Sequence, residues 1–457
     1  MRFSIQDTIA AMATPQGKGA ISLIRVSGEG AMAIARRFFQ TRSKKEIRAH
    51  RAQVGEFFSS RKQFIDQVVL VSYPKPKSYT GEDMLEISCH GSPVVAAEIL
   101  ETLISGGARL AEPGEFTFRA FLHGKMDLVQ AEAIEQLIAA QTRRQVQLAA
   151  GQLRGRVSGC LKEIKERLIQ ILIELETAVE FVEDQLEKEP FEKRLCLLND
   201  VCRGLERLSR SYGTGSTVCQ GRKVAVMGRS NVGKSSLFNS LLNDERAIVC
   251  DLAGTTRDTL HSTMELEGVP VQIIDTAGWR KTKSRIEQEG LRRSGLAMES
   301  ADLVLLVLDA QKGWTQGDRT ILNRTEGKKV LLVWNKMDLV ESETMPDCPA
   351  TRDMPVCHVS ALTGMGIEEC RKEIGRLLLP DPVAEEEPMI SNLRHKQKMD
   401  ASLQYMVQAR EAMRSGFSEE YVLADMKKAL ECLDEITGET TSEELLGKIF
   451  SRFCIGK

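Results

Sequence analysis

The spacing of apolar side chains divides the chain into stretches of different period. Before about residue 118, short β-type runs such as ISLIRV, QVVLVSYP and DMLEIS accompany one helical stretch near Val94–Ile104. This mixture predicts a small α+β domain. From about Phe121 to Ser211 the apolar period becomes helical, with few breakers, as in LVQAEAIEQLIAA. Helical periodicity returns from about Asn392 and continues to Phe450, so the chain contains two long helical stretches.

Between the two helical stretches, apolar strands alternate with amphipathic helices. The runs KVAVMG, VQIIDTAG, ADLVLLVLDA, KKVLLVWNK and VCHVSA are short and apolar, as expected of strands buried in a parallel sheet. GTGS at Gly213–Ser216 predicts a break before this region, and PDPVAEEEP at Pro380–Pro388 predicts a linker after it.

We therefore predict a multidomain protein of class α/β plus α. Its segments are an N-terminal domain, a helical domain in two parts and an α/β domain between those parts, with boundaries at 1–118, 119–215, 216–380 and 381–457. The economical arrangement packs the two helical parts together and leaves the α/β domain as an insertion. Two separate helical domains are the alternative.

Amino-acid composition excludes few classes of protein. The 457 residues are 42% hydrophobic and 28% charged, which is ordinary for a soluble protein of two or three domains. A net charge of −2 gives no sign of a nucleic-acid or membrane partner, so any nucleic-acid site must be a local patch. The start lacks a signal peptide, the longest apolar run is too short to span a bilayer, and the 11 cysteines form no CxxC pair. We expect a cytoplasmic protein without a membrane partner.

A phosphate-binding loop is predicted at Gly228–Ser235, which reads GRSNVGKS. It follows the apolar run KVAVM and opens an amphipathic helix, the context that such a loop requires. Its glycines let backbone N–H groups approach phosphates, and the helix N-terminus adds a favourable field. We expect Lys234 to reach the β and γ phosphates and the Ser235 hydroxyl to bind Mg²⁺.

Three further motifs follow in order. DTAG at Asp275–Gly278 supplies a carboxylate for Mg²⁺, and GTTRD at Gly254–Asp258 places Thr256 as a second hydroxyl on the metal. NKMD at Asn335–Asp338 selects guanine, because a carboxylate accepts from both its N1–H and its N2 amino group. Ser360-Ala361 fits the loop behind guanine O6. Together these motifs predict a GTPase.

The residues expected to contact GTP belong to these motifs and to the segment before Thr256. Ras-like GTPases orient the attacking water with a Gln directly after DTxG, but this chain has Trp279 there, so another group must position the water. The full predicted set is Asn231, Val232, Gly233, Lys234, Ser235, Ser236, Cys250, Asp251, Leu252, Ala253, Gly254, Thr255, Thr256, Asp275, Thr276, Ala277, Gly278, Asn335, Lys336, Asp338, Ser360 and Ala361.

Four segments outside the nucleotide motifs carry a family resemblance. They read DTIAAMATPQGKGAISLIRVSG, SYTGEDMLEISCHGSPVV, EPGEFTFRAFLHGKMDLVQAEAI and EITGETTSEELLGKIFSRFCIGK. In them the chain resembles the MnmE (TrmE) family of tRNA-modification GTPases. The resemblance implies an N-terminal α+β folate-binding domain that forms a homodimer, a discontinuous all-α helical domain, and an inserted Ras-like P-loop G domain with a mostly parallel sheet flanked by helices.

The resemblance also implies site residues. Folate-binding positions are matched by Arg25, Glu86, Lys125 and Lys457, whose charges suit a pterin and its glutamate tail. A potassium ion in the GTP site is matched by Asn231 and by carbonyls of Cys250, Leu252 and Thr255, where the family often has Thr in place of Cys250. The catalytic residues implied are Lys234, Glu287, which positions the water, and Cys454 in the terminal CIGK.

The implied reaction joins GTP hydrolysis to tRNA modification. With the FAD-containing partner MnmG (GidA), family members add an aminomethyl or carboxymethylaminomethyl group to carbon 5 of the wobble uridine, using a tetrahydrofolate derivative (5-formyl- or 5,10-methylene-tetrahydrofolate). The basic residues Arg143, Arg144, Arg154, Arg156 and Lys162 either contact tRNA phosphates or form a solvated helix face. The alternatives are a ribosome-assembly or regulatory GTPase switch, and a degenerate relative that has lost folate activity.

Overall fold

The computed structural model describes residues 7–42, 46–180, 191–242, 247–248, 261–275, 298–340, 354–379 and 387–457. Contacts divide the chain into two compact units. Unit 1 comprises Met1–Ile138, Gln152–Cys202 and Ala401–Lys457, and unit 2 comprises Ala139–Gly151 and Arg203–Asp400. The N-terminal segment and most of the helical segments thus fall in one unit. The domain boundaries at 118, 215 and 380 stay predictions.

The described strands of unit 1 form one mixed sheet of seven strands. Their order across the sheet is β3-β4-β5-β6-β2-β1-β7, and every neighbouring pair is antiparallel except β1 and β7. The strands are β1 (Ile9–Met12), β2 (Ile21–Ser27), β3 (Phe39–Thr41), β4 (Gln53–Phe58), β5 (Phe64–Tyr73), β6 (Met84–His90) and β7 (Arg109–Leu110).

One face of this sheet is covered by helices α1 (Ala31–Phe38) and α2 (Pro93–Ser105). The core between them contains Leu70, Ile87 and Ile99, each fully buried. Strand β5 alternates buried and more exposed positions, as its sequence predicts for a sheet with one covered face. The predicted α+β character of this region is confirmed.

The helices of unit 1 come from both helical stretches of the sequence. Helix α6 packs along α12, and the buried Lys165 of α6 pairs with Asp434 and Glu439 at 2.6 Å each. Helices from the two separated stretches are therefore in contact. Besides α1 and α2, the described helices with residues in unit 1 are α3 (Glu115–Leu122), α4 (Leu128–Ala139), α5 (Arg143–Leu153), α6 (Arg156–Glu180), α7 (Phe191–Gln220), α11 (Leu393–Arg414), α12 (Glu419–Thr437) and α13 (Glu443–Phe450), of which α4, α5, α7 and α11 also have residues in unit 2.

The predicted break at Gly213–Ser216 is wrong, because these residues lie inside the continuous helix α7. A Cβ on Gly215 would stand 2.2 Å from the backbone oxygen of Ile390, so the glycine permits a close approach between two segments of unit 2. The Thr217 hydroxyl bonds back to the Gly213 carbonyl at 2.7 Å. Tertiary packing, which the local sequence does not reveal, explains the glycine.

Unit 2 contains the α/β region. Its described strands form a sheet in the order β14-β13-β12-β8-β11-β10-β9, parallel from β14 to β11 and antiparallel at β10 and β9. They are β8 (Arg222–Met227), β9 (Ala247–Ile248), β10 (His261–Leu266), β11 (Val269–Asp275), β12 (Leu303–Asp309), β13 (Lys329–Asn335) and β14 (Val356–His358).

Helices α8 (Lys234–Leu242), α9 (Gln316–Asn323) and α10 (Ile367–Leu378) accompany this sheet. Apolar residues of α8 and α10 join the strands in one buried cluster, and every residue of β12 is buried. The predicted mostly parallel sheet flanked by helices is confirmed. In the part of the chain that the structure describes, no helix is both long and apolar enough to cross a bilayer.

Candidate nucleotide and folate sites

The phosphate-binding loop joins β8 to α8, so the loop ends where the helix N-terminus begins at Lys234. Gly233 has φ 92°, and a Cβ there would stand 2.2 Å from Nδ2 of Asn335, so only glycine fits. Nζ of Lys234 donates to the carbonyls of Gly228 (2.8 Å) and Arg229 (2.7 Å). The ammonium is therefore held over the loop that we expect to receive the phosphates.

Asn335 links this loop to the guanine-side loop. Its Nδ2 donates to the Val232 carbonyl at 2.9 Å, and its Oδ1 accepts from the backbone N–H of Ala361 at 3.0 Å. The side chain is almost completely buried. Asn335 thus fixes the spacing between the phosphate end and the base end of the site.

Asp338 is oriented by the loop that follows β14. The hydroxyl of the fully buried Ser360 donates to Oδ1 of Asp338 at 2.5 Å, and the backbone N–H of Thr363 donates to the same hydroxyl oxygen at 3.2 Å. Ser360 therefore aligns the carboxylate that is expected to read guanine.

Asp309, which the sequence analysis did not select, holds Lys336 at 2.7 Å. Burial alone raises the pKa of the Asp309 carboxyl. The hydrogen bond and charge of Lys336, with N–H groups of Gln311 and Lys312, outweigh burial and hold that pKa below its ordinary value. Its signal in the sequence was an acid closing the buried strand LVLLVLD, at the edge where parallel strands place ligand-binding groups.

Other predicted nucleotide-site residues are placed only in part. Ser235 and Ser236 lie in the first turn of α8, and Asp275 ends β11 opposite Val226 of β8, at the same edge of the sheet as the loop. A serine hydroxyl at a helix N-terminus fits an Mg²⁺ ion held jointly with phosphates. The following predicted residues lie outside the described residues: Cys250, Asp251, Leu252, Ala253, Gly254, Thr255, Thr256, Thr276, Ala277, Gly278, Trp279 and Glu287.

The predicted folate residues Arg25 and Glu86 are direct partners across the antiparallel pair β2–β6. Nε of Arg25 donates to Oε1 of Glu86 at 2.9 Å, and its Nη1 donates to the backbone oxygen of Gly456 at 3.4 Å. Burial and the positive charge of Arg25 lower the pKa of Lys457. The C-terminus is thus brought to the N-terminal sheet. Lys125 instead donates to the Pro76 carbonyl at 2.8 Å.

Two tyrosines that the sequence analysis missed adjoin this cluster. The Tyr73 hydroxyl donates to Oε2 of Glu86 at 3.3 Å, and the Arg25 guanidinium lies 5.6 Å from the centre of the Tyr79 ring. Burial, followed by the negative charge of Glu86, raises the pKa of Tyr73. The alternation of β5 gives a weak signal for Tyr73, but its partner depends on the β5–β6 register.

The basic residues are not one uniform surface. Arg144 donates to the Glu267 carbonyl at 3.4 Å and packs against Gly268, whose Cβ would stand 2.8 Å from that of Arg144. Arg143, Arg154, Arg156 and Lys162 are exposed. Arg144 therefore has a structural role within unit 2, and the other four are accessible to a polyanion.

The loop at a strand–helix junction and the Asn-Lys-x-Asp motif after β13 define unit 2 as a Ras-like P-loop GTPase domain. A family model described as the MnmE helical domain matches residues 128–454, and one described as the GTP-binding protein TrmE N-terminus matches residues 8–125. The chain belongs to the MnmE family of tRNA modification GTPases, and it is a GTP hydrolase that acts in tRNA modification.

Relatives match the chain along its whole length. The tRNA modification GTPase MnmE of Aquifex aeolicus (strain VF5) is 40% identical over 454 residues, which cover 99% of this chain and 100% of that protein. That of Moorella thermoacetica is 40% identical over 463 residues with the same coverage. A solved structure of Era from Aquifex aeolicus is 26% identical and covers 41% of this chain and 67% of that chain, with a TM-score of 0.29, too low to add to the assignment.

Proposed function

We propose that the chain is a potassium-activated GTPase that works with the FAD-containing protein MnmG (GidA). Together they would add an aminomethyl or carboxymethylaminomethyl group to carbon 5 of the wobble uridine in certain tRNAs. The observation that carries the proposal is the contact between the C-terminal segment and the Arg25–Glu86 pair. This contact gathers charged groups that suit a small molecule, in a chain that also has the motifs of a GTP site. Membership of a tRNA-modification family sets aside the ribosome-switch alternative.

In the GTP site, the loop amides and Lys234 bind the β and γ phosphates, and Asn335, Lys336 and Asp338 bind guanine. The present hydrogen bonds support these roles, since Lys234 already faces the loop and Asp338 is already oriented. Mg²⁺, held by Ser235 and Thr256 with Asp275 nearby, would neutralise charge that develops on the phosphates.

Potassium activation is assigned to Asn231 together with the carbonyls of Cys250, Leu252 and Thr255. The ion would supply positive charge at the transferring phosphate, and Glu287 would orient the water. GTP turnover should be about 100-fold faster in KCl than in NaCl at equal ionic strength, which is about the effect of one group that stabilises charge in the transition state. Asn231→Ala should remove the difference. Equal wild-type rates in both salts across a wide titration would overturn this part.

The folate site is assigned to Arg25, Glu86, Lys125 and Lys457. The Glu86 carboxylate suits the N–H groups of a pterin, and the cations suit the glutamate tail. Bound 5-formyl- or 5,10-methylene-tetrahydrofolate would supply the one-carbon unit. Calorimetry with 5-formyltetrahydrofolate should give heat with wild type and none with Glu86→Gln. No heat with the wild type would favour the degenerate relative.

Cys454 supplies an exposed thiol near this site, since its carbonyl accepts from the backbone N–H of Lys457 at 3.3 Å. We assign it a part in the modification chemistry. Cys454→Ser should lose tRNA modification while GTP turnover is unchanged. Full modification by this variant would remove any essential role of the thiol.

The complete proposal is tested by mass spectrometry of tRNA nucleosides from cells with and without the gene. Deletion should remove the C5-substituted wobble uridines. Wild type should restore them, and Asp338→Asn or Glu287→Ala should not. An unchanged profile after deletion would leave the GTPase without the assigned reaction. Homodimer formation through the N-terminal domain, and assembly with MnmG, can be measured on the same preparations by light scattering.

A further inference from the structure

Arg229, the second residue of the phosphate-binding loop, forms an ion pair that none of the sequence motifs predicts. Its Nε donates to Oδ1 of Asp318 at 2.8 Å. Asp318 lies in the first turn of α9 and is fully buried, whereas the Arg229 side chain is 27% exposed. The other oxygen of Asp318 accepts from the backbone N–H (3.1 Å) and the hydroxyl (2.6 Å) of Thr315. The carboxylate is therefore fixed, and Arg229 is its cationic partner.

The Arg229 side chain lies against the start of α9. A Cβ on Gly317 would stand 2.8 Å from Cδ of Arg229, closer than real side chains approach. Gly317 is helical and has no left-handed backbone, so its own conformation does not require glycine. Since alanine is a better helix former, the reason for glycine here is the space that the arginine takes.

One donor group of this arginine, Nη2, lacks a hydrogen-bond acceptor in the described residues. Nη2 of Arg229 is buried, and no acceptor lies within hydrogen-bonding distance of it in the part of the chain that the structure describes. A buried donor without an acceptor is unfavourable. Lysine would pair with Asp318 without a planar fork of further donors. The Nη2 group of the arginine is thus a donor that this conformation does not use.

We propose that Arg229 is a positioning residue for GTP binding at the phosphate-binding loop. Its pair with Asp318 ties the phosphate-binding loop to helix α9, and its spare N–H finds an acceptor only when the site is loaded with GTP. Arg229 acts through the loop backbone and does not contact the reacting atoms. Part of the free energy that favours the GTP-loaded state then comes from the hydrogen bond that Nη2 gains.

The first test compares Arg229→Lys with wild type. Lysine keeps a cation for Asp318 and removes the buried Nη2 donor. The nucleotide-free variant should melt at the same temperature as wild type or higher, whereas its affinity for a non-hydrolysable GTP analogue should fall about tenfold, the effect of one charge-assisted hydrogen bond. A merely structural role predicts that both quantities fall together. Wild-type affinity in Arg229→Lys would overturn the proposal.

The second test displaces the arginine without removing it. Gly317→Ala should raise KM for GTP several-fold, about the loss of part of one hydrogen bond, and change kcat little. Gly213→Ala is the matched control, because it is also a helical glycine of unit 2 and a Cβ there meets nothing within 4 Å. Equal kinetics for the two variants, or a fall in kcat at unchanged KM, would contradict a positioning role. Both variants keep the Arg229–Asp318 charges, so the test holds even if Arg229→Lys does not fold.

Discussion

At the scale of single residues, guanine recognition depends on how the Asp338 carboxylate is held. Ser360 donates to one of its oxygens, which fixes the plane of the group. Asp338→Asn replaces an acceptor by a donor facing guanine N1–H or N2. We expect kcat/KM for GTP to fall about 100-fold or more, and xanthosine triphosphate to become the better substrate. Ser360→Ala should lower GTP affinity without changing this preference. Unchanged selectivity in Asp338→Asn would remove Asp338 from base recognition.

A second residue-scale prediction concerns the buried ion pairs of unit 1. Glu115 is fully buried and accepts from Arg109 (2.8 Å) and Arg119 (3.0 Å), and Arg119 is itself 1% exposed. Burial by itself raises the pKa of Glu115, but hydrogen bonds from Arg109, the Glu112 N–H and Arg119 outweigh it and hold the pKa below its ordinary value. Glu115→Gln should cost about 3–5 kcal/mol of unfolding free energy, because Arg119 loses a buried partner.

The pH dependence of this contribution follows from the direction of the shift. A lowered folded-state pKa means that the stabilisation is complete above the unfolded-state pKa of about 4.3 and is lost as the pH falls through the folded-state value. As the pH is lowered from about 6 toward about 3, urea unfolding of wild type and Glu115→Gln should therefore begin to converge near the unfolded-state pKa of about 4.3. The exposed Glu101→Gln is the control. A difference that stays constant over this range would contradict the assignment.

At the scale of elements, the two glycines of the GTGS segment of helix α7 make a matched pair. A Cβ on Gly215 would collide with the Ile390 carbonyl at 2.2 Å, whereas a Cβ on Gly213 meets nothing within 4 Å. Gly213→Ala should stabilise unit 2 by about 1 kcal/mol through helix propensity. Gly215→Ala should destabilise it by about 1–3 kcal/mol, as overpacking does. Thermal unfolding measures both. Equal effects would mean that the segment from Ile390 does not rest on the helix.

Elements also differ in how far their sequences predict them. Strand β12 is apolar at nearly every position and buried at all seven, so its pattern alone predicts a central parallel strand. Helix α7 contains two glycines within three residues, and local rules predict its interruption. The rules fail there because Ile390 packs against the glycine from 175 residues away along the chain.

At the scale of the whole molecule, the two candidate sites belong to different units. Every described residue expected to bind nucleotide lies in unit 2, and all four folate residues lie in unit 1. A saturating ligand stabilises the state that binds it by about 2.7 kcal/mol at 100 times Kd. GDP should therefore slow amide exchange in β8, α8 and β13, and 5-formyltetrahydrofolate should slow it in β2 and β6. Protection of β2 and β6 by GDP would show that the binding energies are coupled.

Local sequence patterns are enough to predict the GTPase domain. Its motifs are short contiguous segments, and each acts through a local strand–loop–helix arrangement whose backbone N–H groups are available wherever the pattern folds. The α+β and helical textures were likewise visible, because apolar period reports on local structure. The folate positions came from family resemblance, since isolated charges such as Arg25 carry no local signal.

Which distant groups come into contact depends on the three-dimensional fold. Arg25 contacts the Gly456 carbonyl across 431 positions of sequence, and Glu86 is its partner through the register of β2 and β6. Arg229 reaches Asp318 across 89 positions. Such contacts depend on strand register, on how helices pack and on space left by single glycines. None of these is a property of a local segment, so no spacing rule along the chain predicts them.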